Sequence, residues 1–205
     1  MEIKRIFDLL DNLTEKFPDL EDILAKKRDG KWIKYSVRKY VADSHSVAYG
    51  LLALGYGKET KVITISDNRP EWNCIDMGTA MDGMIHVPTY PTLSHDEFLH
   101  VFNHSDAELI FVGNANLYKK VAPIVAEMEK PAKIIMIDPS DEVFSYDQLK
   151  MLGNERSAEF APIIEKNKKE ISEDDCVTMI YTSGTTGLQK GVMLSHHNLL
   201  FSPYG

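Results

Sequence analysis

Apolar residues recur with two different spacings along the chain. In the first 57 residues, two segments repeat apolar positions every three or four residues, which predicts two helices. Between them, two short runs flank Asp29-Gly30, which predicts a β-hairpin. We expect a helix over 8–17, hairpin strands over 22–27 and 31–36, and a helix over 37–54. Pro18 should end the first helix, while Ser36 and Gly55 should cap the second.

From residue 58 onward, short apolar strands alternate with helical segments. The predicted strands are 61–65, 84–87 (ended by Pro88), 108–112, 133–137 and 176–181. The predicted helices are 70–81, 94–104, 114–129 and 144–167 (with a break near Gly153), and 166–175 reads as a charged, solvated connector. Such alternation predicts an α/β fold, in which helices cover both faces of a mostly parallel sheet. We divide the chain into 1–57 (helix, hairpin, helix) and 58–205 (an α/β sheet subdomain that ends in the loop described below).

Composition narrows the class of protein. Hydrophobic residues make up 43% of 205 residues and charged residues 26%, which is typical of a globular core. The net charge of −8 disfavours nucleic acid as a partner. Two cysteines and no apolar leader or spanning segment favour a reducing, cytoplasmic location, with room for a peripheral membrane contact.

The segment after the strand 176–181 carries the most chemistry. Residues 182–191 (TSGTTGLQKG) contain three glycines, four hydroxyls and Lys190. Glycines let backbone N–H groups turn toward phosphate oxygens, hydroxyls add donors, and a lysine adds charge. The order does not fit a Walker A loop, where lysine follows glycine and precedes serine or threonine. From composition alone, a flexible surface loop stays open as the alternative.

The run YTSGTTGLQKG, residues 181–191, resembles the phosphate-loop signature of the AMP-forming acyl-adenylate enzymes. The match continues through 192–196. Upstream, 68–72 (NRPEW) and 83–92 (GMIHVPTYPT) are most similar to the bacterial long-chain fatty acid–CoA ligase branch. The family usually has proline where this chain has Gln189, which should leave the loop less stiff.

The resemblance implies an ATP-dependent ligase that forms acyl-CoA through an acyl-adenylate, with release of pyrophosphate and AMP. It implies ATP, Mg²⁺, a fatty acid and coenzyme A as small-molecule partners. It also implies a phosphate-binding set: Thr182, Ser183, Gly184, Thr185, Thr186, Gly187 and Lys190. No catalytic residue or metal ligand is expected within this chain. Two alternatives stay open: a ligase for another acyl or aryl acid, and a non-catalytic nucleotide-binding module.

Family members continue for hundreds of residues beyond the phosphate loop. In the family, a later glutamate holds Mg²⁺ and a late lysine assists adenylation, and neither motif has a counterpart here. Residues 197–205 are the start of an apolar helical stretch. We therefore expect an N-terminal fragment of an acyl-CoA synthetase-type fold, without later subdomains. Alone, it should be inactive and prone to self-associate through bared apolar surfaces.

Several histidines and one tryptophan are weaker candidates for functional residues. His100 and His104 have the spacing of a metal pair, with His95 about one turn earlier, but no third ligand is evident, so surface histidines are favoured. His196 is expected to have a structural role, and Trp72 to lie in the core.

Overall fold

The structure, a computed structural model, describes residues 2–28, 30–182 and 188–201. The helices of these residues are α1 (Asp8–Lys16), α2 (Val37–Ala53), α3 (Pro70–Met81), α4 (His95–His104), α5 (Ala115–Val125), α6 (Tyr146–Glu155), α7 (Ser157–Glu170) and α8 (His196–Phe201). The strands are β1 (Leu24–Arg28), β2 (Lys31–Tyr35), β3 (Lys61–Ile65), β4 (Ile85–Thr89), β5 (Leu109–Val112), β6 (Lys133–Met136), β7 (Cys176–Thr182) and β8 (Lys190–Ser195).

Six strands form one sheet in the order β6-β5-β3-β4-β7-β8. All neighbours are parallel except β7 and β8, which are antiparallel, and β1 pairs with β2 in a separate hairpin. Alternate strand residues enter opposite cores: Leu109 and Phe111 pack with α2, α3, α6 and α7, whereas Ile110 and Val112 pack with α4 and α5. Both faces of the parallel part of the sheet, at β3 and β5, are therefore covered by helices, which confirms the predicted α/β class.

Helix caps explain several element starts. The Ser36 hydroxyl accepts from the backbone N–H of Lys39 at the start of α2, and Gly55 takes a positive φ of 89° just beyond its end. Ser94 and Glu97 form the predicted capping box of α4.

The predicted break in the helix over 144–167 is present, but it lies at Arg156, between α6 and α7; α6 runs through Gly153. Gly153 instead permits close packing of α6 on α2: a Cβ atom there would lie 2.1 Å from the carbonyl oxygen of Ser46 and 2.7 Å from the nitrogen of Gly50. The glycine serves helix contact rather than helix termination.

The boundaries of β4 and α5 also differ from the sequence prediction. Strand β4 includes Pro88 and ends at Thr89. The Ile85 N–H points toward β3, so alternation along the strand turns the Pro88 nitrogen toward β7. The register pair with β7 lies earlier, between His86 and Thr178, and the ladder does not continue at Pro88, which has no N–H to donate. Helix α5 ends at Val125, with Pro123 in its last turn.

The segment 166–175 is not simply a solvated connector, because α7 extends to Glu170. Lys168 is buried, and its ammonium lies 3.2 Å from Asp11 of α1. The Arg5 guanidinium also donates to the carbonyl oxygen of Lys168. The charges of this segment thus tie α7 to the amino-terminal residues.

The described end of the chain is also packed. Leu199 and Leu200 of α8 contact the core that contains α2 and α3. Within the described residues, every helix is too short or too polar to cross a bilayer.

We predict that Gly153→Ala destabilises the chain by about 2–4 kcal/mol, because its methyl group would overlap the backbone of α2. Gly57→Ala is the matched control, since its Cβ would meet only Asp82 Oδ2 at 3.7 Å. Urea unfolding of both variants tests this, and equal loss in the two would contradict it.

Burial raises the pKa of Asp82 to about 6, partly offset by the Asn167 side-chain amide, which donates to Oδ1. The other oxygen, Oδ2, is buried without a partner among the described residues. A raised folded-state pKa means that the folded chain binds the proton more tightly, so stability falls as the pH rises from about 4 through 6.

We therefore predict that Asp82→Asn stabilises the chain by about 1–3 kcal/mol at pH 7.5 and by much less at pH 4.5. Urea unfolding at both pH values measures the difference. A variant that is less stable than the wild type at pH 7.5 would refute this assignment.

Candidate phosphate-loop site

The predicted phosphate loop begins and ends on adjacent strands. Thr182 is the last residue of β7 and Lys190 the first of β8, and the two are partners in the antiparallel ladder, followed by Tyr181 and Gly191. This pairing brings together the first and last of the seven predicted residues. The other five, Ser183, Gly184, Thr185, Thr186 and Gly187, lie outside the described residues.

The side chains at the two ends of the loop are open to solvent. Thr182 and Lys190 are exposed, and within the described residues Lys190 forms no ion pair. Residues 183–187 contain no acidic side chain that could neutralise it. Among the described residues, the charge of Lys190 is therefore left without an acidic partner beside the carboxyl end of β7.

Helix α4 contacts both ends of this segment. His104 Nδ1 lies 2.7 Å from the Tyr181 hydroxyl, and His100 Nε2 lies 2.8 Å from the carbonyl oxygen of Gln189. Both histidines lie at the surface of α4, as expected, but their hydrogen bonds to the loop were missed. The i, i+4 spacing was visible in the sequence; the partners on β7 and before β8 were not.

A cleft of about 260 Å³ lies beside the loop at the carboxyl ends of β3, β4 and β7. It is lined by Ser66, Trp72, Pro88, Tyr90, Ile180 and Tyr181, among others. Because α3 and α4 leave β3 and β4 for opposite faces of the sheet, a crevice opens between these strand ends, where α/β proteins bind ligands.

Trp72 is half-buried in this cleft rather than enclosed in the core as predicted. Its ring lies 5.0 Å from the ring of buried His86. His86 is held by Asp76 at 2.7 Å and by Thr64 at 2.9 Å. These two hydrogen bonds hold the imidazole ring against which the Trp72 indole packs.

The charged residues of the NRPEW motif join three parts of the fold. Arg69 lies 3.0 Å from Glu71 and 2.9 Å from Asp138, and it donates to the carbonyl oxygen of Gly113. Lys26 of the hairpin also pairs with Glu71. Burial alone would raise the pKa of Glu71, but the hydrogen bonds from Arg69 and Lys26 outweigh it and lower the pKa to about 2.

His196 lies away from the loop, at the other end of β8. Its Nδ1 accepts from the backbone N–H of Ile6 at 3.2 Å, and burial, together with nearby Arg5, lowers its pKa to about 4. It is therefore a neutral, buried acceptor, in agreement with the structural role expected for it.

Among residues 2–28, 30–182 and 188–201, no group of three or more His, Cys, Asp or Glu side chains is arranged to hold a metal ion. His100 and His104 thus lack a third ligand in that part of the chain.

A mostly parallel sheet with a cleft at the carboxyl ends of its strands is typical of α/β proteins that bind ligands at that edge. The sequence pattern of the family described as AMP-binding enzyme matches residues 11–205. The chain belongs to the AMP-binding enzyme family.

Curated relatives share its sequence over nearly its whole length. Fatty acyl-CoA synthetase A of Dictyostelium discoideum is 30% identical over 92% of this chain and 30% of its own length. Human long-chain-fatty-acid–CoA ligase ACSBG2 is 29% identical over 86% of this chain and 27% of its own. The chain thus spans less than a third of these two relatives.

A solved structure shows the same fold. The luciferase-like enzyme of the nonluminescent mealworm Zophobas morio superposes with a TM-score of 0.78 at 21% identity, over 96% of this chain and 44% of that one.

We predict that Glu71→Gln lowers the free energy of unfolding by about 2–4 kcal/mol at pH 7, because it removes the buried carboxylate that pairs with the half-buried cations Lys26 and Arg69. Because the pKa of Glu71 is lower in the folded chain than in the unfolded chain, the ionised carboxylate stabilises the fold above about pH 4.5. This contribution is lost as the pH falls through about 2. The variant should lack that acid-dependent loss in urea unfolding.

Asp22→Asn is the matched control, because the pair of Asp22 with Lys34 is exposed. Its effect should stay below about 1 kcal/mol. A Glu71→Gln variant as stable as this control would contradict the prediction.

Proposed function

We propose that this chain is the phosphate-binding portion of an ATP-dependent acid–CoA ligase that acts on long-chain fatty acids. The observation that carries the proposal is the arrangement of the loop signature: Thr182 and Lys190 face each other across the β7–β8 ladder at the carboxyl edge of the sheet. A loop of glycines and hydroxyls between such ends suits the triphosphate of ATP.

The choice of acid rests on the relatives. Two curated relatives that share most of this chain are named for fatty acids and coenzyme A. The mostly apolar cleft beside the loop, which contains aromatic side chains, is compatible with the carboxyl-proximal part of such a substrate.

The proposed reaction has two steps. A carboxylate oxygen attacks the α-phosphorus of ATP, and the bond to pyrophosphate breaks to give an acyl-adenylate. The thiolate of coenzyme A then attacks the acyl carbon, and AMP leaves with the bonding electrons. Both steps place negative charge on departing phosphates, so donors fixed near them lower the barrier.

Within that reaction, the proposed phosphate-binding residues are Thr182, Ser183, Gly184, Thr185, Thr186, Gly187 and Lys190. Lys190 would neutralise part of the charge on the β- and γ-phosphates, and the hydroxyl of Thr182 would donate to an oxygen. Their exposed donors fit a phosphate chain that carries Mg²⁺, which would supply further charge neutralisation.

We also propose the division into 1–57 and 58–205, a cytoplasmic location with a peripheral membrane contact, and self-association of the isolated chain. The two cysteines, buried Cys74 and half-buried Cys176, are both unpaired thiols, which supports a reducing compartment. The 205-residue chain alone should be inactive, and acyl-dependent pyrophosphate exchange by the pure chain would overturn that part of the proposal.

We predict that Lys190→Ala raises the KM for ATP and slows adenylation in the full-length protein, because a charge-assisted contact of about 1.5–3 kcal/mol is lost, roughly 10- to 100-fold in kcat/KM. ATP–pyrophosphate exchange measures this. Lys190→Arg should restore part of the activity because the charge remains.

The matched control is Lys166→Ala, because Lys166 is an exposed lysine on α7 that pairs only with Glu170 among the described residues. Its kinetics should equal those of the wild type. Unchanged exchange in Lys190→Ala would remove Lys190 from the proposed mechanism.

A further inference from the structure

Helix α4 presents two histidines to the two ends of the phosphate loop. The contact at one end joins His104 to Tyr181, the residue before Thr182. The contact at the other end joins His100 to the backbone of Gln189, the residue before Lys190. The two proposed phosphate ligands that the structure describes are each one residue from such a contact.

The groups in these two hydrogen bonds show which atom is the donor in each. A carbonyl oxygen can only accept, so His100 Nε2 carries a proton and donates to Gln189. Burial raises the pKa of Tyr181 to about 12, so its hydroxyl stays protonated at neutral pH and can donate to His104 Nδ1. The phenol ring also meets the rings of His100 and His104 edge-on, at 6.3 Å and 5.6 Å.

Helix α4 is held in place at its start and along its buried face. Its start is closed by the capping box of Ser94 and Glu97. Its other face buries Phe98, Val101 and Phe102 completely. The two histidines therefore project from a helix whose position is set by the core.

Strand β8, in contrast, pairs with one strand within the part of the chain that the structure describes. It pairs with β7 at the edge of the sheet, and Val192 and Met193 are 44% and 61% exposed. Edge strands held by a single ladder open more readily than central ones. The hydrogen bond from His100 adds a second, independent attachment at the start of β8.

We infer that His100 and His104 are positioning residues, which hold both ends of the phosphate loop so that Thr182 and Lys190 meet the phosphates of ATP in fixed places. The inference rests on the proposed function of this loop. Ordering the ends before ATP arrives lowers the entropy that binding must remove, and thus tightens binding.

The test compares variants that remove or keep the donor and acceptor atoms. His100→Leu and His104→Leu remove them, whereas His100→Gln and His104→Asn place an amide atom near the original nitrogen. Tyr181→Phe removes the hydroxyl alone. His95→Leu is the matched control, because His95 lies on the same helix but contacts Asp96 and Glu127.

Binding of Mg²⁺–ATP and of pyrophosphate to the full-length protein is measured by calorimetry, together with kcat and KM for ATP. Each leucine variant and Tyr181→Phe should raise the dissociation constants about three- to tenfold, with kcat changed less than about twofold. The amide variants should recover most of the affinity, and His95→Leu should equal the wild type.

Hydrogen exchange of 188–195 without nucleotide gives a second readout. It should become faster in His100→Leu and recover in His100→Gln. If the leucine variants bind both ligands as the wild type does, or if the amide variants are as weak as the leucine variants, the inference fails while the proposed function stands. If the wild-type protein binds neither ATP nor pyrophosphate, the proposed function itself fails, and the inference with it.

Discussion

Burial of both faces of the parallel sheet is the constraint on which the rest of the structure depends. Alternate residues of β3 and β5 enter different cores and have no exposed face on which to carry polar groups. Apart from the hydrogen-bonded set of Thr64, His86 and Asp76, the polar groups described above therefore lie near the strand ends. The carboxyl ends of β3, β4 and β7 meet at one edge, and the loop, the cleft and the charged cluster of Glu71 all lie along it.

The charged cluster joins separate segments of the chain at this edge. Glu71 receives Arg69 from its own motif and Lys26 from the hairpin, while Arg69 reaches Asp138 beyond β6. Such buried ion pairs contribute little net stability but strongly oppose the loss of any one partner. The NRPEW motif, which resembles a family signature, is thus explained here by its role in joining the hairpin to the sheet.

Much of the fold was predictable from local patterns. Strand and helix alternation, the hairpin of β1 and β2, and the caps at Ser36 and Ser94 all appear where the sequence indicates them. The errors at Gly153 and at 166–175 share one cause: in each, a tertiary contact overrides a local preference. Gly153 is tolerated in a helix because α2 passes too close for any side chain, and Lys168 is buried because Asp11 accompanies it.

The sequence by itself determined the chemistry of the candidate site, since the glycines, hydroxyls and lysine of the loop form one continuous segment whose composition needs no partner to be recognised. Only the tertiary structure decided what surrounds that segment. The pairing of Thr182 with Lys190, the reach of His100 and His104 to its ends, and the opening of the cleft beside Trp72 depend on strand order and helix packing. The hydrophobic pattern of the sequence predicts single helices and strands. It does not show which strands become neighbours in the sheet, so contacts between distant residues cannot be read from it.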